Sequence, residues 1–322
     1  MGRTARGKIV GIDLGTTNSA VSWADLSGND RPGGGIAIFP IPQLTGPGEV
    51  SSLPMLPSFL YIPGEHEIRR EAYVLPWSTG TGGFVGAFAR NQGAAVPGRL
   101  VSSAKSWLCQ ARADRRAAIL PWGAGEDVDR VSPVEAVAAV LRHIRSSWNH
   151  LALEKDGVPL EDHRIVLTVP ASFDEVARDL TVEGAALAGL PHVILLEEPL
   201  AAFYSWLMDH ERDWEGRVVP GELILICDVG GGTTDFTLVT LQEKKGTAVF
   251  ERIAVGDHLI LGGDNMDLAL ARLAETKLAT GRETSLSLQR WQALCHQCRQ
   301  AKEKILGGTS EEETITLVGG GR

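Results

Sequence analysis

Residues 226–239 read ICDVGGGTTDFTLV, with three consecutive glycines between two aspartates and an apolar run on either side. Short apolar runs that flank glycine predict two buried strands joined by a turn. Glycine permits a positive φ and has no Cβ, so a ligand can approach the backbone of such a turn. Successive N–H groups in a turn of this kind can point into one concavity and bind an anion. The stretch therefore predicts a strand–turn–strand unit with an anion site at the turn.

An earlier stretch repeats this plan. Residues 8–19 read KIVGIDLGTTNS, again an apolar run followed by an aspartate, a glycine and two threonines. The two aspartates, Asp13 and Asp228, stand 215 positions apart. We expect one of them in each of two related lobes, residues 1–218 and 219–322, which close on a shared ligand. A polar segment with two glycines and a proline, ERDWEGRVVPG, marks the boundary between the lobes.

The residue types at the two turns indicate a metal-bound polyphosphate. Carboxylates repel a bare phosphate, so a divalent cation or its waters must lie between the two. Threonine hydroxyls and glycine amides supply the donors that phosphate oxygens accept. A pair of ordinary glycine hairpins is the alternative interpretation, and it suits either turn alone better than two turns in matched contexts.

Composition indicates an ordinary globular chain of 322 residues, 43% of them apolar and 22% charged. The formal net charge of −9 argues against nucleic acid as a partner, because phosphate backbones are bound by clustered Lys and Arg. No apolar run reaches the roughly 20 residues that span a bilayer, so no membrane partner is expected. Four cysteines indicate a reducing compartment, and we expect a cytoplasmic protein. Cys295 and Cys298, beside His296, are expected to be helix positions rather than a metal site.

Strands alternate with helices along the chain, which predicts the α/β class. Ser132 with Glu135, and Ser172 with Glu175, have the spacing of capping boxes and predict two helix starts. The other predicted elements are strands at 56–62, 192–197, 222–229, 235–241 and 247–257, and helices at 86–91, 104–112, 199–210, from 265 onward and at 286–306.

Three stretches of the chain match the motifs of a known superfamily. They are GIDLGTTNS (11–19), EEPLAA (197–202) and DVGGGTTD (228–235). The first and third resemble the two phosphate motifs of the actin-like ATPases, and the second resembles the first connecting motif of that superfamily. The resemblance implies a two-lobed α/β fold with ribonuclease H-like lobes, and ATP or ADP bound between them with Mg²⁺.

Four further stretches narrow the resemblance from the superfamily to one family within it. They are VGAFARNQ (85–92), SSAKSWL (102–108), LTVPASFDEVARD (167–179) and GDHLILGGDNMD (256–267). All four resemble segments of the DnaK-type (seventy-kilodalton heat-shock) chaperones, in the same order. Apparent expansions at 28–57, 76–83 and 112–130 favour a divergent, YegD-like branch of that family.

The resemblance implies a role for each matching position. Asp13 and Asp228 would organise Mg²⁺ and its waters, and Glu198 would orient the attacking water. Asp235 would help to hold a monovalent cation such as K⁺, and Lys302 would contact the adenosine side. The phosphates would be surrounded by Gly15, Thr16, Thr17, Asn18, Gly230, Gly231, Gly232, Thr233 and Thr234, with Gly262 and Gly263 approaching from the second lobe.

One departure from the family pattern concerns the catalytic cation. The GxxAKxQ segment of the family is matched by GAFARNQ (86–92), which has Arg90 at the lysine position. Arginine keeps the positive charge but is a planar fork rather than a compact point charge. We therefore expect Arg90 beside the phosphates and weak ATP hydrolysis. The catalytic set implied by the resemblance is Asp13, Arg90, Glu198, Asp228 and Thr233.

A second departure concerns length. The adenosine motif and the second connecting segment of the family have no match in these residues, so the second lobe is expected to be incomplete and to bind nucleotide poorly. The final stretch, TITLVGGGR (314–322), is interpreted as an early strand of that lobe. Client polypeptides and co-chaperones would bind through other regions of a longer protein.

Two other functions remain open at this point. An actin-like filament protein of the MreB kind shares the DLGT, EEP and GGGTT motifs. A small-molecule kinase of the same superfamily would also need a substrate carboxylate that acts as a base, and no clear candidate is present. Fold alone does not separate these functions.

Overall fold

The computed structural model describes residues 7–26, 35–65, 67–78, 83–110, 112–152, 157–244, 247–257, 259–278 and 286–316. The strands are β1 (Lys8–Leu14), β2 (Asn18–Asp25), β3 (Ala37–Ile38), β4 (Ile41–Gly46), β5 (Glu49–Leu53), β6 (Met55–Pro57), β7 (Leu60–Tyr61), β8 (Phe84–Val85), β9 (Leu100–Val101), β10 (Arg164–Val169), β11 (Val193–Glu197), β12 (Leu223–Val229), β13 (Thr234–Lys244) and β14 (Thr247–Val255). The helices are α1 (Ala87–Ala95), α2 (Ala104–Trp107), α3 (Pro133–Ala152), α4 (Glu175–Leu187), α5 (Glu198–Asp209), α6 (Gly263–Leu278) and α7 (Leu288–Leu306). The α/β class is confirmed.

The first of two main sheets, called the N-terminal sheet, has the order β11-β10-β1-β2-β3, with β6 also paired to β2. β1 runs parallel to β10, and β10 runs parallel to β11, while β1 and β2 form an antiparallel hairpin. The carboxyl ends of three parallel strands therefore meet at one edge of the sheet. This edge brings Asp13, Thr168 and Glu198 together, because each lies at or just beyond the end of its strand.

The second main sheet, called the C-terminal sheet, is the antiparallel meander β12-β13-β14. Asp228 pairs with Asp235 and Val229 with Thr234, so residues 230–233 form the connecting turn. The predicted strand–turn–strand unit is confirmed. The predicted lobe boundary after residue 218 falls between the two sheets and stays a prediction.

The main core lies between the N-terminal sheet and helices α3 and α4, as the amphipathic pattern of α3 requires. The start of α3 is the predicted capping box: the Ser132 amide donates to Glu135 Oε2 at 2.7 Å, and the Glu135 amide donates to Ser132 Oγ at 3.1 Å. The second predicted capping box is wrong. Asp174 is the N-cap of α4 and accepts from the Ala177 amide at 2.7 Å, because its carboxylate is better placed than the hydroxyl of Ser172.

Other predicted elements differ in extent. The strand expected at 56–62 is interrupted at Ser58 and Phe59, which separate β6 from β7. The helix expected at 104–112 is regular only over α2, because i→i+3 bonds such as Leu108 N–H to Lys105 O (3.1 Å) tighten the chain beyond it. Residues 312–316 have no regular structure, and the rest of the strand expected at 314–322 lies outside the described residues. None of the described helices combines the length with the apolar character that a membrane crossing requires.

Candidate functional site

Three carboxylates and one lysine converge where the two main sheets meet. Asp13 lies near the end of β1, Glu198 begins α5, and Asp228 lies near the end of β12. Lys105 Nζ forms an ion pair with Glu198 Oε1, with the lysine side chain 6% exposed. Thr168 Oγ1 donates to Asp13 Oδ1 at 2.8 Å and fixes its orientation. Residues from several distant segments therefore share one charged cluster.

The pKa values of Glu198 and Asp228 reflect the charges of this cluster. Burial raises the pKa of Glu198 to about 7, Lys105 acts in the opposite direction, and the charges of Asp13 and Asp228 raise it further. The pKa of Asp228 is also raised, first by burial and then by the charges of Asp235 and Asp13, while a hydrogen bond with Glu198 lowers it. Negative charge therefore exceeds positive charge at the cluster.

The two glycine–threonine turns lie directly against each other. A Cβ on Gly231 would stand 2.0 Å from Thr17 Oγ1. A Cβ on Gly232 would stand 2.2 Å from Ser106 Oγ and 3.0 Å from Thr16 Cγ2. A Cβ at either position would therefore overlap side chains that pack against this turn, whereas the predicted approach of a ligand to the glycine backbone stays a prediction. The predicted positive φ is wrong for these glycines, since neither adopts one.

The C-terminal turn is supported from the side of α6. The Gly263 amide donates to Gly230 O at 3.1 Å, and the Asp264 amide donates to Gly231 O at 2.7 Å. A Cβ on Gly262 would stand 2.6 Å from Gly230 O. The structure thus brings Gly262 and Gly263 to the turn, while their contact with phosphates stays a prediction.

Other predicted residues of the C-terminal sheet lie in the same region. Thr233 is buried, and Thr234 Oγ1 donates to the Leu261 carbonyl at 2.6 Å, which ties the turn to the segment before α6. Asp235 is 2% exposed and lies opposite Asp228. Lys302 Nζ donates to Gly263 O at 2.9 Å, next to the turn. Of the predicted residues around the N-terminal turn, Gly15, Thr16 and Thr17 precede β2, and Asn18 is its first residue.

Arg90 was predicted beside the phosphates, and its catalytic role stays a prediction. Its guanidinium pairs with Glu303 on α7, with Nη1 and Oε2 3.6 Å apart, and it is not the cation that contacts Glu198. Lys105, in the short helix α2, contacts Glu198 instead. Lys105 belongs to SSAKSWL, one of the stretches that resemble the family, but the sequence analysis gave it no role.

Several site residues were missed by sequence reasoning. Thr168 lies in β10, and its contact with Asp13 follows from the parallel pairing of β1 and β10. Ser106 and Asp264 lie within the family-like stretches SSAKSWL and GDHLILGGDNMD, but the sequence analysis gave neither of them a role. Their places are set by how the two halves of the chain pack.

The carboxylates suit a hard divalent cation. Mg²⁺ is usually held by one or two carboxylates together with waters and substrate phosphates. Asp13 and Asp228 offer such oxygens, and their excess negative charge would be neutralised by the ion. Within the described ranges, no group of three or more His, Cys, Asp and Glu side chains is arranged to hold a metal alone. Cys295 and Cys298 lie within α7, as expected.

The fold and the site together define a class of protein. Two sheets in one mixed α/β chain each carry an aspartate and a glycine–threonine turn, and the turns meet at a shared cluster. This is the arrangement of an actin-like ATPase domain.

Comparison with known proteins narrows the class. The family model described as Hsp70 protein matches residues 84–318, and the chain belongs to this family. It is 31% identical to the chaperone protein HscA of Salmonella agona over 267 residues, which cover 81% of this chain and 36% of that protein. It is 29% identical to an HscA homologue of Pseudoalteromonas atlantica over 321 residues, covering 96% of this chain and 43% of that one. The chain thus spans less than half the length of these relatives. The YegD-like branch stays a prediction.

Proposed function

We propose that this chain is the ATP-binding part of a chaperone and that it binds Mg²⁺–ATP between its two sheets and hydrolyses it. The observation that carries the proposal is the convergence of Asp13, Glu198, Asp228 and Lys105 beside two opposed glycine–threonine turns. Membership of the Hsp70 protein family supports a chaperone rather than a filament protein or a small-molecule kinase. Client polypeptides and co-chaperones would act on other parts of a longer protein.

The proposed division of labour follows from charge. Asp13 and Asp228 would hold Mg²⁺, which supplies charge neutralisation on the phosphates when it is bound. The two turns would contact the phosphates through backbone amides and through the hydroxyls of Thr16, Thr17 and Thr233. The amide of Gly230 already donates to Thr233 O at 2.9 Å, so the amides that come after it in the turn are the available donors.

Glu198 and Lys105 would act on the attacking water and on the transferred phosphoryl group. A carboxylate within hydrogen-bond reach of a water can orient it or accept its proton. Lys105 is a compact cation fixed in a buried position, which suits the stabilisation of charge on the phosphoryl oxygens. Asp235 would help to hold K⁺, and Lys302 would contact the adenosine side. The expectation of weak hydrolysis rested on Arg90 as the catalytic cation, and the rate of hydrolysis stays a prediction.

Release of inorganic phosphate from ATP by the purified chain tests the proposal. We expect turnover that requires Mg²⁺ and that is lost in Asp13→Asn, with Asp257→Asn as a matched exposed control outside the cluster. Turnover that is equal in excess EDTA, or that persists in Asp13→Asn, would refute the proposed function.

A further inference from the structure

Ser103 has an unusual backbone conformation next to the candidate site. Its φ is 55° and its ψ is 31°, and it is the one non-glycine residue with positive φ among the described residues. The left-handed region is unfavourable for serine because its Cβ crowds the following carbonyl oxygen. Such strain persists only where surrounding contacts hold it, and it concentrates at functional sites. Ser103 stands immediately before α2, two positions from Lys105.

The contact that holds Ser103 comes from the other half of the chain. Its hydroxyl donates to Asp264 Oδ2, at the start of α6 and 161 positions later. The backbone amide of the same Asp264 donates to the carbonyl of Gly231, in the C-terminal turn, at 2.7 Å. One residue therefore contacts both the segment that carries Lys105 and the turn that would contact phosphate.

Asp264 is itself fixed by a buried network. Arg299 on α7 donates through Nη2 to Asp264 Oδ1 and through Nε to Asp267 Oδ2, the latter at 2.7 Å. Lys302 Nζ lies 2.7 Å from Asp267 Oδ1. The side chains of Arg299 and Asp267 are 14% and 4% exposed. The acceptor of the Ser103 hydroxyl is therefore rigidly attached to α6 and α7.

We propose that Asp264 is a positioning residue that couples the approach of the two sheets to the placement of Lys105. When the turns are together, the Ser103–Asp264 hydrogen bond compensates the unfavourable φ and holds Lys105 against Glu198. When they separate, the bond breaks, Ser103 relaxes, and Lys105 loses its fixed position. The inference rests on the proposed function as far as catalysis is concerned, but the mechanical coupling is independent of any nucleotide.

Hydrogen exchange of the amides of residues 104–108, without nucleotide, tests the coupling. We expect exchange at least about tenfold faster in Ser103→Ala, which keeps a Cβ in the left-handed conformation but loses a hydrogen bond to a charged group. Ser103→Gly also loses the hydrogen bond to Asp264, but glycine has no Cβ and adopts the positive φ without strain. Exchange of the amides of residues 104–108 should therefore rise less in this variant than in Ser103→Ala. The neighbouring Ser102→Ala serves as the control and should match the unmodified chain. Equal exchange in Ser103→Ala and the unmodified chain would overturn the proposal.

Kinetics of Asp264→Asn distinguish positioning from a general structural role. Asparagine keeps one acceptor oxygen, which can serve Arg299, while its NH₂ group can only donate to Ser103 Oγ, so the Ser103 hydroxyl loses its charged acceptor. We expect kcat for ATP to fall by about tenfold to a hundredfold, the effect of a misplaced catalytic group, with the dissociation constant for Mg²⁺–ATP changed by less than about threefold. Equal losses in kcat and in affinity would contradict a positioning role. If the unmodified chain does not turn over ATP, the proposed function fails, and the exchange experiment still decides the coupling.

Discussion

Lys105 and Arg90 are two cations of the N-terminal half in very different surroundings. The Lys105 side chain is 6% exposed and contacts Glu198, with the Phe173 ring 6.0 Å from its Nζ. The Arg90 side chain is 29% exposed and reaches α7 through Glu303. A catalytic charge must be fixed and shielded from water, since field strength at the reacting atoms depends on both. Of these two cations, Lys105 meets this requirement.

Substituting each cation separates the two roles. We expect Lys105→Met to lower kcat for ATP by on the order of 10²–10³, the usual effect of removing one preorganised electrostatic group. Arg90→Met should stay within about fivefold, because an ion pair this exposed is worth about 1 kcal/mol at most. Phosphate release under saturating Mg²⁺–ATP measures both variants. A larger loss in Arg90→Met than in Lys105→Met would restore the arginine to the catalytic role.

Glu198 makes stability depend on pH. Its pKa is raised from 4.5 to about 7, mainly by burial, so folding favours the protonated form. The stabilisation is fully present below about pH 4.5 and is lost as pH rises through about 7. At about 1.4 kcal/mol per pKa unit, the loss is about 3 kcal/mol.

Urea unfolding between pH 5 and pH 8, in EDTA and without nucleotide, measures this loss. The free energy of unfolding of the unmodified chain should fall across this range relative to Glu198→Gln, which does not titrate. Parallel curves for the two proteins would show that Glu198 ionises normally in the folded state.

At the scale of elements, the decisive feature is the meeting of two turns. Each turn follows from its own sequence, but their contact depends on the packing of one sheet against the other. Gly231 and Gly230 are neighbours with different surroundings: a Cβ on Gly231 would overlap Thr17, whereas the nearest atom to a Cβ on Gly230 is Thr233 O at 3.3 Å.

Because the surroundings of Gly231 and Gly230 differ, alanine substitutions at these two positions form a matched pair of variants. Gly231→Ala should separate the turns and weaken Mg²⁺–ATP binding by more than about tenfold, because the new Cβ would overlap Thr17 Oγ1 and would stand only 3.1 Å from Thr17 Cβ, which leaves this short side chain little room to turn away. Gly230→Ala needs only a small adjustment at Thr233 O. This variant should bind Mg²⁺–ATP far more tightly than Gly231→Ala does. Isothermal titration calorimetry gives both constants, and equal affinities for the two variants would show that the turns do not need to touch.

The secondary-structure elements could be predicted from the sequence more completely than the contacts of the candidate functional site. The α3 capping box, the β1–β2 hairpin and the β12–β13 turn are local, and local residue types determine them. Asp174 rather than Ser172 caps α4, because two competing capping residues are close in sequence and only their geometry separates them. The contact of Asp13 with Thr168 required knowing which strands are neighbours, and that is not local information.

The residues that sequence reasoning missed lie where distant segments meet. Lys105 was within a recognised motif, but its pairing with Glu198 depends on where α2 is placed relative to the start of α5. Asp264 also lies in a recognised stretch, but its contacts could not be predicted, because both of its side-chain partners come from elsewhere in the chain. For a site between two halves of a chain, the sequence motifs therefore predict the main residues. The remaining residues and their contacts are known only once the packing of the two halves is known.

At the scale of the whole molecule, charged contacts join the two halves around the cluster. Glu197, the residue before Glu198, accepts from Arg178 on α4 at 3.0 Å and from Arg252 on β14. On the opposite side, Arg90 of α1 pairs with Glu303 of α7 at 3.6 Å. These partly exposed pairs are individually weak. Each of them would break at little cost in the lobe closure that we propose.

The Mg²⁺ dependence of ATP binding tests the central claim most directly, because it asks whether Asp13 and Asp228 meet the phosphates through a metal. Calorimetry of the purified chain should give a dissociation constant for ATP at least about tenfold lower in Mg²⁺ than in EDTA. The difference should disappear in the double variant Asp13→Asn, Asp228→Asn. Equal affinity with and without Mg²⁺ in the unmodified chain would contradict the account.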